Sequence, residues 1–290
     1  LILKGIGGFY YVEAAEMVYE CKARGIFRKR GATPYAGDWV NILIKEDGTG
    51  TIEDILPRKN QMVRPPVANI DQLMVVAATC EPSPSTLVID KMIALAVDRG
   101  IEPILVLTKA DLRDGEALEE IYRRAGIRTI AFSAVTRQGL EEVKSCLSGK
   151  VTAFTGNSGV GKSSLLNCVE ETLCLQTGEI SQKLGRGRHT TRHVELFPLA
   201  NGGYVADTPG FSTVGIERYE QIDKEDLPFA FPEFAPYLGH CRFTSCVHVC
   251  EKGCAILEAV ENGKISPSRH ASYVAMYDEV KGRKEWEKKG

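Results

Sequence analysis

The pattern of apolar and polar residues changes character twice along the chain. From Ile6 to about Leu56 the apolar residues come in short β-rich runs: Gly8–Val12, Met17–Cys21, Asp38–Ile44 and Thr51–Leu56. Gly25, Gly31, Gly37 and Asp47-Gly48 punctuate them, as turn residues do between short strands. Four or five strands in about sixty residues suit a small barrel such as an OB-fold, with an SH3-like barrel as the alternative. Arg64-Pro65-Pro66 then predicts a linker.

Beyond Asp71 the pattern becomes strand, helix, strand. Leu73–Ala78 is continuously apolar, which fits a parallel strand buried on both faces. Leu87–Val97 carries helical periodicity. Ile104–Leu107, Thr129–Phe132, Val151–Phe154 and Gly203–Ala206 read as further strands. After about Gly215 the alternation ends. Pro228–Pro236 is aromatic and proline-rich, cysteines cluster next, and a helical stretch runs from about Ser268. The expected division is a barrel over 1–64, an α/β domain over 65–217, and a mainly helical, cysteine-rich domain over 218–290.

The composition of the 290 residues is that of an ordinary globular chain, 43% hydrophobic and 26% charged. No apolar run is long enough to span a bilayer, and Leu1–Gly8 is too short and glycine-rich for a signal peptide. A cytoplasmic protein with no membrane partner is expected. A net charge of −2 does not mark a nucleic-acid binder, although local patches steer partners regardless of the sum.

Chemistry enters at the ends of the expected strands, where open α/β sheets bind ligands. Val151–Phe154 leads into Gly156-Asn157-Ser158-Gly159-Val160-Gly161-Lys162-Ser163, a complete phosphate-loop motif, with Ser164 opening the helix. The glycines let backbone N–H groups wrap a phosphate at a helix N-terminus, Lys162 reaches the β- and γ-phosphates, and Ser163 serves Mg²⁺. Asp207-Thr208-Pro209-Gly210 follows, reading as a magnesium and γ-phosphate sensor through Asp207 and the Gly210 N–H. Thr108-Lys109-Ala110-Asp111 reads as a guanine-recognition loop. The Asp111 carboxylate can accept two hydrogen bonds from guanine N1 and N2, which adenine cannot donate, and Lys109 packs its stem on the base. Ser133-Ala134 supplies a backbone N–H for guanine O6. An ATPase or small-molecule kinase on the same loop is disfavoured by Asp111.

In most GTPases the base-reading motifs come last; here they precede the phosphate loop, so the motif order is circularly permuted. Gly185-Arg186-Gly187-Arg188-His189-Thr190-Thr191 lies where a first switch loop belongs, and Thr190 or Thr191 is expected to complete the Mg²⁺ shell. Phe211 stands where many GTPases place a water-orienting glutamine. Intrinsic turnover should then be slow, and His189 is the candidate catalytic group beside Lys162.

Four of the nine cysteines, Cys241, Cys246, Cys250 and Cys254, fall in one short window. Clustering of this kind favours metal over disulfide. Cys241, Cys246, His248 and Cys254 make a Cys₃His set suited to one closed, structural Zn²⁺ site, with Cys250 a possible competitor. In the barrel, Lys22, Arg24, Arg28, Lys29 and Arg30 cluster around Phe27, a composition suited to RNA.

These residues resemble the ribosome small-subunit-dependent GTPase A family (RsgA, also called YjeQ or YloQ) over nearly the whole chain: barrel, permuted GTPase motifs, G-R-G-R-H-T-T segment and cysteine tail. The resemblance implies an N-terminal OB-fold, a central α/β P-loop GTPase domain with permuted motif order, and a C-terminal zinc-binding domain that excludes Cys250. It also implies GTP hydrolysis stimulated by the small ribosomal subunit, with rRNA contacts, during late subunit maturation. Asn157 resembles the asparagine of potassium-stimulated GTPases, so K⁺ is an expected cofactor. A monomer alternating between GTP and GDP is expected, with the nucleotide repositioning the tail relative to the barrel. Equal affinity of both forms for small subunits would argue against that movement. A guanine-nucleotide-gated RNA-binding module with incidental hydrolysis is the alternative.

Overall fold

In the computed structural model the described residues are 1–29, 31–63, 66–170, 194–207 and 222–282. The chain divides into two compact units. The first holds Leu1–Met74, Leu140–Thr155 and Lys162–Glu220; the second holds Val75–Gly139, Gly156–Gly161 and Gln221–Gly290.

The first unit begins with five strands: β1 (Ile2–Ile6), β2 (Phe9–Ala14), β3 (Met17–Ala23), β4 (Val40–Ile44) and β5 (Gly50–Ile55). Their order is β1-β2-β3-β5-β4, with β3 and β5 parallel and the other joins antiparallel. That is the Greek-key order of an OB-like barrel and removes the SH3-like alternative. The short helix α1 (Gly25–Lys29) follows β3. Phe27 is buried with Ile2, Val12, Cys21 and Ile52 in the barrel core.

Where the sequence suggests a linker, Pro66 instead opens β7 (Pro66–Ala68), which pairs with β6 (Gln61–Val63). Arg64 and Pro65 lie outside the described residues. Proline is tolerated at a strand start because its missing N–H need not enter the ladder. Met62, Val67 and Ala68 are buried. Gly37 approaches this segment with φ +89°, and a Cβ there would lie 2.0 Å from the Ala68 carbonyl oxygen.

The same unit contains α4 (Leu140–Leu147), β11 (Val151–Thr155), α5 (Lys162–Val169), β12 (Glu195–Pro198) and β13 (Tyr204–Asp207). Strands β11 and β13 are parallel, β12 is antiparallel to β13, and β12 also pairs with barrel strand β1 at Lys4 and Glu195. Lys4 Nζ lies 2.7 Å from the Glu195 carboxylate. The Tyr204 hydroxyl donates to the Glu13 carboxylate; burial, and then Glu13 itself, push the phenol up to about 12.

In the second unit, β8 (Gln72–Ala78, its last four residues in this unit) runs beside β9 (Glu102–Thr108). β9 pairs in parallel with β10 (Arg128–Ala131). Every residue of β8 is buried, as its unbroken apolar run predicts. Helix α2 (Thr86–Asp98) buries Ile89, Met92, Ile93 and Ala96, and α3 (Glu116–Arg124) buries only Tyr122. The C-terminal part has two 3₁₀ segments, Leu227–Ala230 and Pro232–Tyr237, then α6 (Ala255–Glu261) and α7 (Pro267–Val280). Its core gathers Leu227, Phe231, Phe234, Ile256, Ile265 and Tyr273. Phe231 and Phe234 stack with centroids 5.2 Å apart, and Tyr273 meets Phe231 edge-on at 5.4 Å.

Candidate functional site

The base-reading loop starts at the last residue of β9. Thr108 is buried, and its hydroxyl donates to the Val160 carbonyl of the phosphate loop, with the Ala77 carbonyl oxygen 3.3 Å away. The next residue, Lys109, takes a left-handed conformation with φ +59°. Its Nζ donates to the Glu81 carbonyl. Ala110 N–H donates to Phe132 O at 3.1 Å, tying the loop to the end of β10. Asp111 and Leu112 are exposed.

Ser133 is fully buried. Its N–H donates to Gln138 O at 3.2 Å, and its Oγ accepts from the N–H groups of Val135 and Thr136. Ala134 is half-buried.

The phosphate loop requires its glycines. Gly156 has φ +150°, and a Cβ there would lie 2.2 Å from the Val76 carbonyl oxygen. Gly159 and Gly161 have φ +79° and +96°, a region side chains disfavour. Asn157 and Ser158 lie between Gly156 and Gly159, and Lys162, Ser163 and Ser164 form the first turn of α5, which Leu165 and Leu166 anchor by burial. Burial lowers the pKa of the Lys162 ammonium, as desolvation does for a cation.

Asp207 ends β13; of this residue only the backbone is described. His189, Thr190, Thr191, Gly210 and Phe211 lie outside the described residues.

The cysteine cluster converges. The ligand atoms of Cys241, Cys246, His248 and Cys254 all lie within 4.8 Å of one another. Cys241 Sγ and Cys254 Sγ are each 3.5 Å from His248 Nδ1 and 3.8 Å from each other. Cys250 is exposed and stands outside the group. His248 has φ +62°, and its carbonyl lies 2.8 Å from His270 Nε2. The Tyr273 hydroxyl donates to Val247 O at 2.8 Å. The Glu251 carboxylate accepts from Val247, Val249 and Cys250 N–H. Burial opposes the ionised form of Glu251, but these N–H groups outweigh it and hold the carboxyl below its usual range. Burial lowers the His248 imidazole, favouring the neutral form that binds metals. Three thiols and one imidazole converging this closely fit a tetrahedral Zn²⁺. Glu251, His270 and Tyr273, which shape this loop, belong to no motif that the sequence displays.

The barrel's basic cluster is partly neutralised. Arg24 pairs with Glu53 of β5 at 2.5 Å, an acid that sequence proximity conceals. Lys22 Nζ sits over the Phe9 ring, 4.8 Å from its centroid, and Phe27 turns inward to the core. The aromatic beside the exposed cation is therefore Phe9, because α1 uses Phe27 to close the barrel. The side chains of Arg28 and Lys29, and all of Arg30, lie outside the described residues.

With this geometry in view, similarity to known proteins is informative. A family model for the RsgA GTPase matches residues 55–217, and one for the RsgA N-terminal domain matches residues 1–52. The small ribosomal subunit biogenesis GTPase RsgA of Caldanaerobacter subterraneus subsp. tengcongensis is 47% identical over 283 residues, covering 97% of this chain and 95% of that one. Its counterpart from Geobacillus kaustophilus is 46% identical over 289 residues, covering 98% and 97%. The crystal structure of YjeQ from Thermotoga maritima aligns with TM-score 0.83 at 38% identity, covering 98% of each chain. That of YloQ, a circularly permuted GTPase, aligns with TM-score 0.80 at 36% identity, covering 98% of this chain and 94% of that one. The permuted motifs, the OB-like barrel and the Cys/His cluster are thus those of one lineage, and the chain belongs to the RsgA GTPase family as an enzyme that hydrolyses GTP.

Proposed function

We propose that this enzyme acts on the small ribosomal subunit, coupling GTP hydrolysis to late subunit maturation. The observation that carries the reading is the hydrogen bond from Thr108 to Val160, which brings a base-reading loop and a phosphate loop into one arrangement despite their reversed order. In this reading Lys109 and Asp111 hold guanine, with Thr108 behind them and the Ala134 N–H at O6, because the Ser133 N–H is engaged by Gln138. The backbone of Gly156–Gly161 and Lys162, Ser163 and Ser164 bind the phosphates. Ser163, Asp207 and Thr190 or Thr191 would hold Mg²⁺, which when bound neutralises charge on the β- and γ-phosphate oxygens. The Gly210 N–H meets the γ-phosphate. Lys162 stabilises negative charge on the phosphoryl oxygens, and His189 orients the attacking water in place of the glutamine that Phe211 displaces. Asn157 makes turnover potassium-sensitive.

Cys241, Cys246, His248 and Cys254 hold one structural Zn²⁺ that fixes a short loop with little core of its own. Lys22, Arg24, Arg28, Lys29 and Arg30 meet rRNA phosphates, with Arg24 exchanging Glu53 for a phosphate. The enzyme works as a cytoplasmic monomer; among the described residues, no helix is long and apolar enough to cross a membrane. GTP turnover measured with and without purified small subunits tests this reading, with large subunits, ATP and Lys162→Ala as controls. A GTP-specific rise with small subunits alone is expected. Unchanged turnover, with GTP binding intact, would reject it.

A further inference from the structure

Thr79 belongs to none of the nucleotide motifs, yet it holds the base-reading loop. It follows the last residue of β8 and is buried. Its N–H donates to Thr108 O at 3.0 Å, and its hydroxyl donates to Lys109 O at 2.9 Å. Lys109 is the residue with φ +59°, a conformation that a lysine adopts rarely and that its surroundings must enforce. Both carbonyls flanking that strained turn therefore accept from one threonine, the second shared with the Leu112 N–H at 2.9 Å. A methyl group completes the grip: a Cβ on Gly115 would lie 2.9 Å from Thr79 Cγ2, so the backbone where α3 begins fits closely against it.

We propose that Thr79 is a positioning residue for guanine recognition, fixing the left-handed turn at Lys109 so that Asp111 presents its carboxylate to the base. The argument rests on the reading of Asp111 as the guanine acceptor. Asp111 is two residues beyond Lys109, and a single backbone rotation at Lys109 redirects everything after it. The Thr108 hydroxyl fixes the loop to the phosphate loop, and the Ala110 N–H fixes it to β10. Thr79 supplies a third anchor, which reaches the strained residue from outside the loop, where the Leu112 N–H bonds the same carbonyl only from within it. Valine in its place keeps the shape and the N–H but removes the hydroxyl, leaving the Lys109 carbonyl to the Leu112 N–H alone, which donates to it at 2.9 Å from within the same loop.

The test is the ratio of GDP to IDP affinity, since hypoxanthine lacks the 2-amino group that a correctly placed carboxylate accepts. A ratio is read only on folded protein, so a general loss of stability does not move it. Wild type, Asp111→Ala, Thr79→Val and Thr79→Ser are compared by fluorescence competition or calorimetry. Asp111→Ala is expected to abolish the preference for GDP, Thr79→Val to reduce it by at least about fivefold, and Thr79→Ser to keep it within about twofold. A preference lost in Asp111→Ala but intact in Thr79→Val would overturn the role of Thr79. A preference intact in Asp111→Ala would overturn the base-reading assignment itself, and the proposal with it.

Discussion

Replacing Arg269 with methionine should loosen the C-terminal helical part sharply. Arg269 is fully buried. Its Nη1 lies 2.8 Å from Asp90 Oδ1 on α2, and its Nε and Nη2 meet the two Glu233 oxygens at 2.6 and 3.1 Å. The guanidinium also lies over the Phe231 ring, 4.7 Å from its centroid. Methionine restores most of the packing volume but strands two buried carboxylates. Breaking a buried ion pair by removing one partner costs about 3–5 kcal/mol. That is roughly two to four powers of ten in an opening equilibrium. Hydrogen exchange of the α7 amides reads this directly, because it reports local opening rather than one global transition. Burial raises the Asp90 pKa, and Arg269 offsets only part of that rise. A raised carboxyl favours the fold at low pH and loses that contribution as pH rises through its folded value. Without Arg269 the pKa climbs further, so the deficit should be largest at neutral pH and narrow on acidification. Arg269→Lys keeps the charge but not the two-pronged contact with Glu233, and should fall between. Protection in Arg269→Met within about 1 kcal/mol of wild type at neutral pH would refute the reasoning, since even a modest unpaired buried charge costs more than that.

Three further outcomes follow from the two centres. Gly156→Ala should abolish nucleotide binding and cost at least about 2 kcal/mol of stability, because its Cβ would press on the Val76 carbonyl; titration with a fluorescent GDP and a thermal melt check both. Lys162→Ala should lower single-turnover GTP hydrolysis by about 10²-fold or more, in line with removing a charged partner of the transferring phosphoryl group. Cys246→Ser should lose bound zinc by atomic absorption while Cys250→Ser retains it, because Cys250 stands outside the converging set.

The parts legible in the sequence are those whose local pattern has a single physical cause. β8 is apolar at nearly every position because every residue of it is buried, and the phosphate loop is written in glycines whose φ angles demand them. What escaped the pattern lacked such a cause. Strand β12 is four residues long and ends in proline. Phe27 sits among cations and reads as a stacking surface, yet it fills the barrel core. Thr79, Glu251 and Tyr273 act through backbone carbonyls and N–H groups that chain order gives no reason to expect nearby.

The permutation sharpens this point. Thr108 and Val160 are 52 positions apart, with the base-reading loop first, and still meet through one hydrogen bond. What the site requires is that β9 and β10 end beside the phosphate loop, not that they follow it. A parallel sheet delivers loops to one rim in any chain order, provided the strand neighbours are kept. Reversing the order changes which segments connect onward. The chain leaving β13 no longer returns to build β8–β10, and its next described residues begin a helical part with its own cluster of thiols. The rearrangement thus leaves the base-reading and phosphate loops together while changing which part of the chain comes after Asp207 in sequence.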